Sequence, residues 1–296
     1  MSGHFADALI AATRRLGPLC VGIDPHWGKL PEVFGADPVR ALRGWAMAMV
    51  DAADGIAGIV KPQVGLFEAH GPMGMEVLAA VMRQARARGL LVIADAKRGD
   101  IGSTAEGYAR AYLSPDAPFP ADALTVNPYM GLDTLEPYLS CAQRYGRGVA
   151  VLARTSNPGA ADFQLRDMGG APLYARVVTA LAEARGRLVG SSGWSSLMLV
   201  AGATGPQEAL ALRLLAPEAL VLVPGYGAQG AGAGQALAAF VAGPEGLEGG
   251  VVNASRSVSY PDGSFATIAD WTQAARALMV AAQWELRQAA RIGPAS

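Results

Sequence analysis

Short apolar, β-leaning runs recur along the chain at 18–24 (PLCVGID), 56–62 (IAGIVKP), 89–97 (GLLVIADAK), 121–128 (ADALTVNP), 146–154 (GRGVAVLAR), 196–204 (SLMLVAGAT), 218–225 (EALVLVPG) and 249–255 (GGVVNAS). Stretches with helical spacing lie between them, among them 38–53, 73–88, 173–184, 206–215 and 229–241. Strands alternating with helices predict βαβ units and a parallel sheet. The runs are apolar throughout, not alternating, as expected when both faces of a sheet are covered. Eight such units predict an α/β fold of the (β/α)8 TIM barrel type, with a doubly wound open sheet as the rival. The first twenty residues read as an amphipathic helix leading into the first strand, and 266–291 as an extra C-terminal helix. No linker or composition break divides the chain, so residues 1–296 are expected to form one domain. The connection 155–195 is long for one βα link and contains Asn157-Pro158-Gly159 and Gly169-Gly170, so a mobile loop over the site is expected there.

In this register polar residues gather where the strands end: Asp24, Lys61, Asp95 with Lys97, Asn127, Arg154, and Ser255 with Arg256. Barrel active sites occupy that rim. Side chains alternate along a strand, so Asp95 and Lys97 face the same way and Arg98 points elsewhere. Asp100 and Thr104 fall four apart at the start of the following helix, on one face of it. The plainer reading makes Asp95 and Lys97 an internal ion pair and Asp100 a helix cap. Lys61, ending the neighbouring strand, changes the picture. Two ammonium groups near two carboxylates form an alternating array that is costly to desolvate unless every charge is paired. Such an array can hold an anionic ligand group against a fixed carboxylate. The resulting repulsion, roughly 4 kcal/mol at 4 Å and an effective dielectric near 20, is useful only if the reaction removes the substrate's charge. Decarboxylation does so, and a neighbouring lysine can protonate the carbanion left behind.

The stretch VPGYGAQGAGAG (223–234) follows the seventh strand. Its glycines let backbone N–H groups approach an anion, a helix is expected to start there, and Arg256 ends the eighth strand close by. Together they predict a phosphate site; a tight turn beside a surface arginine is the alternative. Gly225 to Gly230 also match the dinucleotide pattern G-x-G-x-x-G. The match falls in the seventh unit and lacks an acid ending the next strand, which argues against that use. His4, His26 and His70 are scattered without metal-ligand spacing, although His26 follows Asp24 at the rim.

Composition narrows the remaining classes. The chain has 296 residues, a formal charge of −1, and only Cys20 and Cys141 as cysteines. Such a length can bury a core without disulfides or a structural metal. The near-neutral charge argues against a general nucleic-acid or membrane surface. No uninterrupted apolar run reaches the roughly 18 residues of a membrane span. The N-terminus has Asp7 early and its arginine pair after the apolar part, the wrong order for a signal peptide, so a cytoplasmic protein is expected.

DAKRGDIGST closely resembles the D-x-K-x-x-D-I signature of the orotidine 5′-phosphate decarboxylase family. GPLCVGIDPH, VKPQVGLFE, TVNPYMGLD, ARTSNPGA, VPGYGAQG and NASRS resemble its longer bacterial subgroup, type 2, and the resemblance spans residues 4–260. It implies decarboxylation of orotidine 5′-monophosphate (OMP) to UMP, the last step of de novo UMP synthesis, without cofactor or metal. It further implies Lys97 as proton donor to C6, Asp95 against the substrate carboxylate, and Lys61 completing the array and contacting the ribose. Asp100 and Thr104 would cross a homodimer interface into the partner's site. Asp24 would bind a ribose hydroxyl, Ser156 would meet the pyrimidine, and Gln229 and Arg256 the phosphate. Two alternatives stand beside this one. A metal-dependent sugar-phosphate lyase of the same superfamily shares the core D-x-K-x-x-D, whereas Ile101 and the paired strand-end lysines favour the decarboxylase. A non-catalytic nucleotide-binding barrel would be expected to have lost one of the four charges, and all four are present.

Overall fold

The structure is a computed structural model that describes residues 3–227 and 229–292. Ala228, within the glycine-rich stretch, lies outside the described residues, as do Met1, Ser2 and 293–296. The chain opens with helix α1 (Phe5–Leu16) and strand β1 (Leu19–Ile23), followed by α2 (Pro38–Ala53), β2 (Ile59–Pro62), α3 (Val64–Glu68) and α4 (Gly71–Ala87). Next come β3 (Leu91–Arg98), α5 (Gly102–Leu113), β4 (Ala123–Val126), α6 (Glu136–Tyr145) and β5 (Gly148–Arg154). Short helices α7 (Ala160–Phe163), α8 (Leu173–Ala180) and α9 (Ala182–Arg187) precede β6 (Ser195–Ala201), α10 (Pro206–Leu215), β7 (Ala219–Val223) and α11 (Ala233–Ala236). A hairpin of β8 (Val241–Gly243) and β9 (Gly246–Glu248) leads into β10 (Gly250–Ala254), α12 (Arg256–Ser259) and the long α13 (Ile268–Ile292).

β1–β7 and β10 close into an eight-stranded parallel barrel in the order β1-β10-β7-β6-β5-β4-β3-β2. This is the expected (β/α)8 barrel, and the open-sheet alternative is excluded. Two apolar cores follow from closure. One lies between strands and helices, where α2 buries Leu42, Trp45 and Met49 and α13 buries Trp271 and Met279. The other fills the barrel and gathers Cys20, Ile59, Ile93, Ala123, Ala150, Met198, Leu220 and Val251. The amphipathic α1 closes this inner core by burying Phe5, Ala6, Leu9 and Ile10 in it. Gly148, at the start of β5, permits that closure, because a Cβ there would stand 2.4 Å from the Phe5 ring.

One helical expectation is met and another changes. Within the 155–195 connection the spacing of 173–184 becomes α8 and the start of α9, and the four-residue α7 lies before them. Arg185 of α9 is buried and bonded to the Glu218 carboxylate at 2.9 Å. Conversely, the helix expected over 229–241 shrinks to the four residues of α11, since each glycine in 230–234 costs helix stability. Among the described residues no helix is long and apolar enough to cross a membrane.

The α1 plug yields a prediction. Phe5→Ala removes a fully buried ring at a closed barrel end that has little freedom to collapse. Urea denaturation should show a loss of about 3–5 kcal/mol; a loss below 1 kcal/mol would mean that α1 is not part of the cooperative core.

Candidate active site

The rim formed by the strand C-termini encloses a cavity of about 400 Å³. Its centre is Asp95 on β3. The Asp95 Oδ2 accepts from Lys61 Nζ at 2.5 Å and Gln63 Nε2 at 3.0 Å. Its Oδ1 accepts from Lys97 Nζ at 2.6 Å and Thr125 Oγ1 at 3.1 Å. These donors come from three neighbouring strands, so the sheet register itself assembles the array. Gln63 just past β2 pairs laterally with Asp95, which sets its amide against the carboxylate.

The local backbone of β3 is distorted to achieve this. The β3–β4 register shifts between Ala94 and Arg98, and Lys97 has φ of 48°, the one non-glycine residue with positive φ among those described. Such a conformation costs of order 1 kcal/mol or more and persists where surroundings enforce it. Here the Lys97 N–H donates to Thr125 Oγ1 at 2.9 Å, so one hydroxyl fixes both the lysine backbone and the aspartate.

Burial separates the two lysines. The Lys61 side chain is 4% exposed and that of Asp95 9%, whereas Lys97 is 47% exposed and faces the open cavity. Burial alone would raise the Asp95 carboxyl, but the ammoniums of Lys61 and Lys97 and their hydrogen bonds hold it well below the usual carboxylate range. Burial alone would likewise lower Lys61, and the charges of Asp95 and Asp24 override it, raising the ammonium above its ordinary value. Asp95 and Lys61 are therefore both ionised at neutral pH.

Around this array the cavity sorts into regions. Leu152, Val200 and Leu222 supply an apolar floor. Asp24 after β1 and Asn253 on β10 each present a buried side-chain oxygen without a partner, two acceptors suited to ligand hydroxyl donors. Ser156 and Gln229 meet at Gly225, where φ is +100° and a Cβ would stand 3.0 Å from both side chains. Arg256, opening α12, lines the same end beside the glycine-rich loop.

The model of the orotidine 5′-phosphate decarboxylase / HUMPS family matches residues 17–260. The chain belongs to that family. It is 38% identical to the orotidine 5′-phosphate decarboxylase of Rhodopirellula baltica, over 96% of this chain and 99% of that one. It is 40% identical to the enzyme of the same name from Albidiferax ferrireducens, over 97% and 98%. Among solved structures, a Streptomyces avermitilis chain assigned to this decarboxylase superposes with a TM-score of 0.83 at 36% identity, covering 97% of this chain and 96% of that one. The Leishmania donovani OMP decarboxylase superposes at 0.71 and 31%, covering 95% and 99%.

Of the residues singled out from the sequence, Lys61, Asp95, Lys97, Asp24, Ser156, Gln229 and Arg256 all line one cavity of this family member. Asp100 and Thr104 do not. Asp100 precedes α5 and accepts from the Ile101 N–H at 2.8 Å, and Thr104 is exposed in the first turn of α5. Asp100 makes no side-chain cap to α5. Arg98 points away from the cavity, bonding Glu68 and lying 5.2 Å over the Tyr108 ring. Arg154 also stays outside this cavity and donates to the carbonyl of Thr155. Gln63, Thr125 and Asn253 were not singled out by sequence reading. Their one signal was a neutral polar residue at, or just beyond, the end of an apolar strand.

Asp95→Asn keeps the side chain's shape and removes the charge that Lys61 requires. At pH 7 the variant should be less stable by roughly 3 kcal/mol in urea denaturation. Because the folded Asp95 carboxyl lies below its unfolded value of about 4, its contribution is complete above that pH and is lost as pH falls through the folded value. The gap between wild type and variant should therefore stay level from pH 8 to about pH 5 and close only below about pH 4. Equal stability at pH 7 would contradict a charge array held by attraction.

Proposed function

We infer that the chain decarboxylates OMP to UMP and CO2, the closing step of de novo UMP synthesis. The observation that carries this reading is a buried carboxylate gripped on both sides by lysines at the mouth of a barrel. OMP is bound with its carboxylate toward Asp95, its ribose hydroxyls at Asp24 and Lys61, its pyrimidine at Ser156 and its phosphate at Gln229 and Arg256. The orphaned acceptor on Asp24 supports the ribose contact. The substrate carboxylate and Asp95 are like charges held together by binding energy spent elsewhere on the molecule. When the C6–carboxylate bond breaks, CO2 departs neutral and that repulsion disappears. The electron pair remains on C6, the Lys97 ammonium stabilises it and donates its proton there, and solvent reprotonates the lysine. The apolar floor keeps the dielectric low, which strengthens both effects.

The working unit is a homodimer in which Asp100 and Thr104 enter the partner's cavity. Supporting this, neither residue lines the cavity of its own chain. Exposed Trp27, Met73, Ile101, Tyr129, Met130 and Leu132 lie on the connections that follow β1–β4, with the Trp27 and His70 rings tilted against each other at 4.7 Å. Apolar exposure of this kind marks a protein contact. We place the chain in the longer bacterial subgroup, type 2, a reading supported by the α7–α9 segment after β5, and in the cytoplasm, where pyrimidine synthesis takes place.

Purified protein treated with EDTA should convert OMP to UMP, followed by ultraviolet absorbance, and Lys97→Ala should be slower by at least about 10²–10⁴-fold. Turnover of sugar phosphates alone, and only with Mg2+ restored, would move the chain to the lyase branch.

Lys97→Ala and Asp100→Ala proteins, each inactive alone, should regain up to about a quarter of wild-type activity when mixed in equal amounts and allowed to exchange subunits. Half of the dimers would then be mixed, and each would carry one site free of both changes. No recovery despite demonstrated exchange would sink the shared site.

A further inference from the structure

Among the described residues, the loop after β7 is bonded mainly to itself. The Gly227 N–H donates to the Ala231 carbonyl at 3.0 Å, the Gly230 N–H to the Gly227 carbonyl at 2.8 Å, and Tyr226 and Ala231 form an isolated β-bridge. Gly225, Gly227 and Gly230 all have positive φ. A loop so rich in glycine loses much entropy on ordering and has few side chains with which to hold a shape.

Tyr226 is the exception. It is 6% exposed, and its hydroxyl donates to Glu285 Oε2 at 2.7 Å. Among the described residues this is the one side-chain hydrogen bond that joins 225–231 to another element. Glu285 is carried by α13, which is itself firmly seated. Buried Gln283 accepts from the Leu19 N–H at 3.2 Å and donates to the Ile56 carbonyl at 2.9 Å. Arg276 donates to the carbonyls of Ala52 and Asp54 at 3.1 and 2.7 Å. A hydroxyl bonded to a carboxylate is among the stronger hydrogen bonds. It connects the glycine-rich loop to a firmly seated helix.

We propose that Glu285 is a positioning residue for phosphate recognition: through Tyr226 it pre-orders the loop whose backbone N–H groups and Gln229 meet the substrate phosphate. The inference rests on the OMP reading of the cavity and gives the C-terminal helix a part in it. Asp95 and its donors stand on β2, β3 and β4, away from this latch, so the effect is confined to the phosphate end.

The test compares OMP with orotidine, the nucleoside without phosphate, in the full-length protein. Glu285→Ala should raise KM for OMP about tenfold with kcat nearly unchanged, and leave kcat/KM for orotidine at the wild-type value. Glu285→Gln, which keeps an accepting oxygen, should restore most of the OMP affinity. Tyr226→Phe should match Glu285→Ala, and the double variant should lose no more than either single one. Amide hydrogen exchange over 225–231 reads the latch without turnover: faster in Glu285→Ala, and wild-type in Glu285→Gln. Equal losses for OMP and orotidine, or exchange unchanged in Glu285→Ala, would overturn the proposal. A wild-type protein that exchanges as expected yet fails to convert OMP would overturn the substrate reading and leave the latch itself standing.

Discussion

A buried carboxylate must find donors, and Asp95 finds four. That requirement ties β2, β3 and β4 to one another more tightly than the backbone ladder alone. Lys61 and Gln63 arrive from β2, Thr125 from β4, and Lys97 from Asp95's own strand. A one-residue slip in any of these pairings would turn a donor out of the barrel and leave a charge uncompensated in an apolar surround. The bulge at Lys97 and its left-handed backbone are the local cost of bringing a donor two residues along the same strand onto the same carboxylate. The strain is offset because the Lys97 N–H and the Asp95 carboxylate share the Thr125 hydroxyl.

The array also rests on the opposite end of the barrel. The interior below it is filled by apolar side chains and closed by α1. The lower end has its own charges, bonded within the protein. Buried Arg213 donates to the carbonyls of Ala239, Ala216, Pro217, Ala219 and Gly249, and Asp122 accepts from the Val92 N–H and Arg147. These satisfy backbone groups where strands begin, and they belong to stability. Polar side chains at the upper end leave acceptors open, as at Asp24 and Asn253, and those face the ligand cavity.

This division explains what could be read in the chain beforehand. Apolar runs of strand length are a local signal that all eight barrel strands carried, and six of them ended in a polar residue. Asp95, Lys97 and Lys61 stood out because a charge ending an apolar run is costly and needs a reason. Thr125, Gln63 and Asn253 did not stand out, since a neutral polar residue at a strand end is cheap and its partner lies on another strand. Lateral pairing is invisible to periodicity. The same limit applies to 229–241, where helical spacing of apolar residues was present and the glycines within it prevented more than one turn. In the 155–195 segment the helical spacing of 173–184 was legible and became α8 and the start of α9, whereas α7, at four residues, is too brief to show a period.

The two lysines show how position divides one chemistry into two tasks. Lys61 is enclosed, and two carboxylates keep its ammonium charged; a proton held that firmly is a fixed countercharge. Lys97 has the same side chain and the same nearest acceptor, yet nearly half of it faces the cavity. Its Nζ can leave Asp95 for a neighbouring atom without abandoning the carboxylate, because Lys61, Gln63 and Thr125 still hold Asp95. In the proposed reaction that asymmetry is what allows a proton to move toward C6 while the charge that repelled the substrate carboxylate stays in place. Exchanging the two environments, with the exposed lysine on β2 and the enclosed one on β3, would keep the net charge of the site and lose the proton donor.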